Sequence, residues 1–198
     1  MTIQQSSPRV IVLGGPNGAG KTSSSRKLLA ETLKVLPYVN ADVIAQGLSG
    51  FAPESVAWEA SRIMLERLHA LANRRETFAL ETTLAGRSYF QWLRSLRESG
   101  YQVNLYYFYL SNADLALQRV ALRVQRGGHS IPESTIRTRY RRSLLNLFSL
   151  YLSIADEWTI FDNTGNGAPV VIARGQGEKI EIFQQHVWAQ MNAEFHHD

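Results

Sequence analysis

Val10-Ile11-Val12-Leu13-Gly14-Gly15-Pro16-Asn17-Gly18-Ala19-Gly20-Lys21-Thr22 runs from four apolar residues straight into a glycine-rich turn. Residues 15–22 match G-x-x-x-x-G-K-[ST], a phosphate-binding loop. The context agrees: a short apolar run reads as a buried strand, and residues 23–33 after the turn read as a helix. Glycines let the backbone curl with its N–H groups facing inward, and the following helix N-terminus adds partial positive charge. Gly15, Pro16, Asn17, Gly18, Ala19, Gly20, Lys21, Thr22 and Ser23 are therefore expected to hold a nucleoside triphosphate, ATP. Lys21 reaches the β- and γ-phosphates, and the Thr22 hydroxyl ligates Mg²⁺. A plain strand–helix turn would have no need of the Gly-Lys-Thr ending.

Outward from this loop, strand and helix signals alternate, which predicts an α/β fold. Its architecture is expected to be a three-layer P-loop kinase-like sandwich with a mainly parallel sheet. About five strands are expected, at residues 10–13, 38–40, 78–82, 103–110 and 158–161. Val56, Ala60, Ile63, Met64, Leu68 and Leu71 recur at helical spacing after Pro53. Residues 89–99 form a second helix closed by Gly100, and Ser111-Asn112-Ala113-Asp114 opens a third that runs to Arg126. After Gly127-Gly128, Ser130 and Glu133 have capping-box spacing. The helix they open presents Ile136, Tyr140, Leu144, Leu147, Tyr151 and Ile154 on one face. A helical lid is expected in this region. The tail, residues 164–198, reads as a hairpin containing a strand at 170–173 and a helix near 180–192. The chain, residues 1–198, is expected to be a single domain with its core at about 9–163.

The 198 residues suffice for a substantial core. There are no cysteines, so disulfides and thiolate metal sites are excluded. No apolar run is long enough for a membrane helix, and residues 1–8 lack the features of a secretory signal. A cytoplasmic location is expected from the use of ATP. The net charge of +4 is concentrated between Arg119 and Arg142, where Glu133 is the sole acid. Clustered guanidinium groups suit a phosphate substrate better than a polynucleotide; neither nucleic acid nor membrane is an expected partner.

Ligands in parallel sheets bind beyond the carboxyl ends of the strands, and two acids stand there. Asp42 follows the second strand, and Glu81 ends the third, in Glu81-Thr82-Thr83. One suits a base that accepts a proton from an attacking hydroxyl, the other a group holding substrate or metal. The alternative for Asp42 is a helix cap or turn residue, and for Glu81 the buried partner of an arginine. Arg119, Arg123 and Arg126 lie at i, i+4 and i+7 on one helix face, suited to charge growing on a γ-phosphate. A solvated basic face is the alternative. Most of Arg137, Arg139, Arg141 and Arg142 read as solvent-facing. His129 reads as a turn residue, with a nucleotide contact as the alternative. His196 and His197 read as a terminal tail, with no zinc site.

Taken in order, residues 15–22, Val39-Asn40-Ala41-Asp42, Glu81-Thr82-Thr83-Leu84, Arg119 to His129 and Asp162-Asn163 resemble the zeta-toxin family of P-loop kinases. The resemblance covers about residues 9–163. It implies transfer of the γ-phosphate of ATP to a hydroxyl of a sugar nucleotide or similar acceptor, as members do with UDP-N-acetylglucosamine. It also implies a possible antitoxin partner. By position Lys21 and Thr22 belong to the phosphate loop, and Asp42 is the base. Glu81, with Thr82 and Thr83, is substrate-side, and Asp162-Asn163 lies near the adenine. Arg119 or Arg123, together with Arg126, would compensate charge. The chain is shorter than the well-known toxins, which leaves the acceptor open. A nucleotide-binding interaction protein with little turnover and a polynucleotide kinase-like enzyme are the competing readings. An ABC-type ATPase fits poorly: Leu48-Ser49-Gly50 follows the loop too soon, and no strand ends in Asp-Glu.

Overall fold

A computed structural model of the chain describes residues 7–35, 37–128 and 130–196. β1 (Arg9–Gly14) lies inside the sheet, and all but its first residue are buried. Its neighbours are β3 (Phe78–Thr82) on one side and β4 (Gln102–Tyr109) on the other, both parallel to it. β2 (Tyr38–Val39) and β5 (Glu157–Asp162) extend the parallel array, giving the order β2-β3-β1-β4-β5. β6 (Val170–Gln176) and β7 (Lys179–Ile182) then add antiparallel strands beside β5. All five parallel strands therefore end at the same edge of the sheet, and the site is built there.

Strand alternation fills two layers. Val10 and Val12 join Phe78, Leu80, Leu68, Leu71 and Leu93 in one buried cluster. Ile11 and Leu13 point the other way, to Leu29, Phe108, Ala116, Val120 and Ile136. The first layer is covered by α3 (Ala57–Asn73), α4 (Ser88–Glu98) and α8 (Gln185–His196). The second is covered by α1 (Lys21–Arg26), with the π-helical turn 27–33 that continues it, and α5 (Ala113–Gln125). α2 (Ala41–Leu48) packs on α3.

α6 (Glu133–Asn146) belongs to both layers, which the sequence pattern did not distinguish. Ile136 and Tyr140 pack in the second layer; Leu144, and beyond it Leu147, Tyr151 and Ile154, pack in the first. The helix thus crosses over the carboxyl ends of the strands. Polar contacts mark the crossing: the Tyr140 hydroxyl donates to the Leu110 carbonyl at 2.9 Å, and the Tyr107 and Ser143 hydroxyls meet at 3.0 Å. Asn146 Nδ2 donates to the Leu84 carbonyl at 2.7 Å. A π-helical turn at Leu147–Tyr151 separates α6 from the short α7 (Leu152–Ile154).

Several expectations need correction. The sheet has seven strands rather than about five. Ile180 lies in β7, and the last helix begins at Gln185, because Gly177, at φ +58°, turns the chain back and closes a hairpin. α2 was not anticipated. The Ser130–Glu133 capping box does not form; Pro132 precedes α6, and Glu133 pairs with Arg137 one turn on. The cap on α5 is Asn112, whose side chain accepts from the Leu115 N–H. Gly100, at φ +92°, ends α4 as expected.

Candidate active site

The carboxyl edge of the sheet opens into one large cleft, about 1560 Å³ in volume. Its floor is the glycine-rich loop. Gly20 precedes α1 in the left-handed conformation at φ +75°, and no side chain caps the helix, so its first N–H groups face the cleft. A Cβ at Gly18 would approach the Ala116 carbonyl to 2.8 Å, and one at Gly20 would approach Asn163 Nδ2 to 2.5 Å. Only glycine fits this curl. The Lys21 ammonium folds back over it, donating to the Gly15 and Pro16 carbonyls at 2.8 and 2.9 Å. Gly15 and Pro16 therefore serve beneath the floor, while residues 17–23 line the cavity itself. Burial pulls the Lys21 pKa below the ordinary lysine value; Glu81 and Asp42 oppose that shift, and Arg123 and Arg139 add to it. Asn17 Oδ1 is buried here without a hydrogen-bond partner among the described residues. The donor-rich, glycine-shaped loop is what a polyphosphate requires.

Glu81 ends β3 directly beside the loop and is nearly buried. Its carboxylate accepts from the Thr22 hydroxyl (3.0 and 3.1 Å), the Asn40 amide (2.9 Å) and the Tyr38 hydroxyl, and lies 3.9 Å from Lys21 Nζ. Burial and then the Glu81 carboxylate push the Tyr38 pKa upward, so that phenol keeps its proton. The expected alternative of a buried arginine partner for Glu81 is replaced by these donors. A hydroxyl and a carboxylate at the mouth of a phosphate loop are hard oxygen ligands of the kind Mg²⁺ prefers. The residues present thus fit a Mg²⁺ ion, with Thr22 and Glu81 as the side chains that would hold it.

Asp42 stands across the loop in the first turn of α2. Asn40 fixes it, its Oδ1 accepting from the Asp42 N–H at 2.8 Å while its Nδ2 binds Glu81. Capping is thus the work of Asn40, and the Asp42 carboxylate is turned into the cleft, 3.7 Å from Arg123. Asn40 was overlooked in the sequence, although Asn before a helical turn is a readable cap signal.

The three arginines of α5 all line the cleft but are not equivalent. Arg119 donates to the carbonyls of Asn163, Thr164 and Gly165 at 2.7–2.9 Å and ties down the loop after β5. Asn163 in turn donates to the Ala19 carbonyl at 2.7 Å. Arg123 faces Asp42, and Arg126 lies at the end of α5. Arg139 and Arg142, from the group of four expected to be mostly solvent-facing, also line the cleft. Arg137, in contrast, is paired with Asp114 and Glu133, as a surface residue would be. His129 and His197 lie outside the described residues; no metal-binding cluster occurs among those described.

The far wall is the turn after β3. Thr82 and Thr83 line the cleft, each hydroxyl oxygen accepting a backbone N–H two residues on, from Leu84 and Ala85. Leu84 is left-handed at φ +58° and wholly buried, an unfavourable conformation for a branched side chain. Asn146 grips its carbonyl, and the Tyr151 hydroxyl grips that of Gly86 at 2.9 Å. No helix among the described residues is long and apolar enough to cross a membrane.

Comparison with known proteins gives the family and the related folds. The family model described as Zeta toxin matches residues 1–168. An uncharacterized protein of Haemophilus influenzae is 29% identical over 132 residues, which are 67% of this chain and 92% of that protein. Among solved structures, the AvrRxo1-ORF1:AvrRxo1-ORF2 complex with sulphate ions superposes with a TM-score of 0.78 at 17% identity, covering 96% of this chain. The same complex with ATP gives 0.75 at 16%. The chain spans 65% of the length of that protein. The PezAT toxin–antitoxin system of Streptococcus pneumoniae gives 0.60 at 20% identity, over 81% of this chain and 72% of the other.

Proposed function

The chain belongs to the zeta toxin family, and on that premise we propose that it transfers the γ-phosphate of ATP to a hydroxyl of a small acceptor, of the sugar-nucleotide kind. The observation that carries this reading is the shared cleft of Lys21 and Asp42. Its volume of about 1560 Å³ exceeds the ~300–1,000 Å³ usual for one small ligand. A donor and an acceptor can therefore lie side by side.

The triphosphate occupies the loop, where the N–H groups of residues 18–22 and the Lys21 ammonium replace its hydration. Lys21 exchanges its bonds to the Gly15 and Pro16 carbonyls for bonds to phosphate oxygens. Mg²⁺, held from the protein side by Thr22 and Glu81, would neutralise phosphate charge when bound. Asp42 accepts the proton of the acceptor hydroxyl as that oxygen bonds to the γ-phosphorus. The bond between that phosphorus and the bridging oxygen of ADP breaks, and the electron pair leaves with ADP. Arg123, Arg126 and Arg139 balance the charge on the transferring group. Arg119 acts on the adenine side by fixing residues 163–165. Relatives solved in two-protein complexes support a neutralising antitoxin partner for this chain.

Incubating the protein with γ-labelled ATP, Mg²⁺ and a panel of sugar nucleotides, nucleosides and sugars tests the reading. Label is expected in one acceptor, identified by product mass, and chelation by EDTA is expected to abolish the transfer. Tight ATP binding with no product from any hydroxyl compound would overturn it in favour of a nucleotide-binding interaction protein.

A further inference from the structure

The two oxygens of the Glu81 carboxylate are unequal, and the inequality is imposed from outside the phosphate loop. Tyr38 pairs with Ala79 in the register of β2 on β3. Side chains alternate along a strand, so Ala79 and Glu81 share a face, and Tyr38 is the diagonal neighbour of Glu81 on it. The Tyr38 ring packs partly against the second layer, which includes Ala79, and its hydroxyl reaches the carboxylate. Three donors converge on Glu81 Oε2: the Tyr38 hydroxyl, Asn40 Nδ2 at 2.9 Å and the Thr22 hydroxyl at 3.0 Å. Among the described residues, Oε1 has only the Thr22 hydroxyl within hydrogen-bond distance, at 3.1 Å, and lies 3.9 Å from Lys21 Nζ.

A carboxylate oxygen offers two lone pairs to donors. Tyr38 and Asn40 fill those of Oε2 by themselves, even when Thr22 turns to another partner. Asn40 Nδ2 also donates to the Tyr38 hydroxyl at 2.9 Å, which directs the phenol's own proton at Oε2. One oxygen of Glu81 is therefore committed to the protein, and the other is left for the cleft. Divalent ions differ in what they ask of a carboxylate. Mg²⁺ is small and demands octahedral order, whereas Ca²⁺ is larger, takes more ligands and accommodates both oxygens of one carboxylate.

We propose that Tyr38 is a positioning residue that makes this site select Mg²⁺ over Ca²⁺: by holding Oε2, it limits Glu81 to a single oxygen on the ion. The proposal rests on the phosphotransferase reading, with Thr22 and Glu81 as the metal-holding side chains. Hydrogen bonds that fix a ligating carboxylate tune what the ion meets, although they never touch the ion. Tyr38→Phe removes the hydroxyl and keeps the ring. Asn40 would be a poorer probe, because its Oδ1 also caps α2 through the Asp42 N–H.

The test loads the protein with AMP-PNP and Mn²⁺, follows the Mn²⁺ by electron paramagnetic resonance, and displaces it with Mg²⁺ or Ca²⁺. Wild-type protein is expected to prefer Mg²⁺. In Y38F the ratio of Mg²⁺ to Ca²⁺ affinity is expected to fall about tenfold or more, chiefly through tighter Ca²⁺ binding, with AMP-PNP affinity in EDTA unchanged. An unchanged ratio in Y38F overturns the proposal. So does a wild type without preference for Mg²⁺, failure of Mn²⁺ to bind, or equal weakening of both ions, the mark of a merely structural role. A second measurement does not depend on Y38F. The infrared carboxylate bands of Glu81, isolated by subtracting the spectrum of Glu81→Gln, are expected to show single-oxygen binding of either ion in wild-type protein; two-oxygen binding of Ca²⁺ there overturns the proposal. The phosphotransferase reading fails separately: wild-type protein that binds Mg²⁺ and AMP-PNP yet transfers no label from ATP to any hydroxyl compound would sink it, whatever the ratio in Y38F.

Discussion

The two halves of the cleft are built from different materials. The half assigned to the triphosphate is made of backbone: N–H groups at the head of α1, glycines at 15, 18 and 20 with positive φ, and one buried lysine. The half across from it is made of side chains from distant parts of the sequence: Asp42 on α2, Thr82 and Thr83 after β3, Arg142 and Asn146 on α6. Backbone chemistry is common to all polypeptides and depends on how the chain curls rather than on which side chains it carries. Side-chain chemistry is free to vary, and the proposed acceptor lies on that side. Substitutions in the two halves should therefore fail in different ways.

The largest effect is expected at Lys21, which serves the half common to the fold. Lys21→Ala removes the one side-chain cation bonded to the loop itself among the described residues. Transfer is expected to fall by about three orders of magnitude or more, with weaker ATP binding, both read from steady-state kinetics and calorimetry. Asp42→Asn sits on the boundary between the halves and should separate them. It keeps shape and the Asn40 cap but cannot accept a proton. The turnover number is expected to drop about 10²–10⁴-fold, while ATP affinity stays within a factor of a few. If D42N lowered both together, Asp42 would belong to the nucleotide half and the contrast would collapse.

A smaller effect is expected from Asn146→Ala, which touches no ligand. It leaves the Leu84 carbonyl unpaired in a buried turn whose residue is already left-handed, at a cost of about 1–3 kcal/mol. Acceptor KM is expected to rise about tenfold because Thr82 and Thr83 lose their fixed support, with KM for ATP unchanged. Thermal denaturation measures the stability loss and initial rates measure the split. Equal loss of affinity for both substrates would show that the turn supports the whole cleft rather than one half.

The same division explains what the sequence disclosed. The phosphate loop was readable because its chemistry depends on neighbours in sequence: strand, glycines at fixed offsets, Lys-Thr, helix. Asp42 and Glu81 were readable as candidates because parallel strands all deliver their ends to one edge. The placements of Arg119, Arg139 and Arg142 were not. Helical spacing groups residues by face but does not say what lies opposite. Arg119 meets carbonyls 44–46 residues away, and Arg142 owes its place to the crossing of α6 between layers. Leu84 gave no warning of a left-handed backbone, since that strain is offset by Asn146, 62 residues distant. In the tail, the hairpin and helix were legible, and only the start of the helix was misplaced, for a local reason. Ile180 and Ile182 with Glu181 between them alternate as a strand does, yet the segment is too short for that pattern to outweigh the helix that follows.

The finest test lies within the nucleotide half, in the charge on Lys21. Burial lowers its pKa from the usual 10.5 in the free protein, more than Glu81 and Asp42 restore. The charged form binds phosphate, so affinity should be full at neutral pH and begin to decline at an alkaline pH below that of an exposed lysine. Bound triphosphate favours the protonated form again, so nucleotide binding above the lowered value should take up a proton. Calorimetry in buffers of different ionisation enthalpy measures that uptake directly. Replacing Lys21 with arginine, which stays charged throughout, should abolish both the decline and the uptake, even where overall affinity falls. Asp42→Asn removes one of the two carboxylates that raise the Lys21 value and should move the decline to lower pH. Asn146→Ala should leave it where it is.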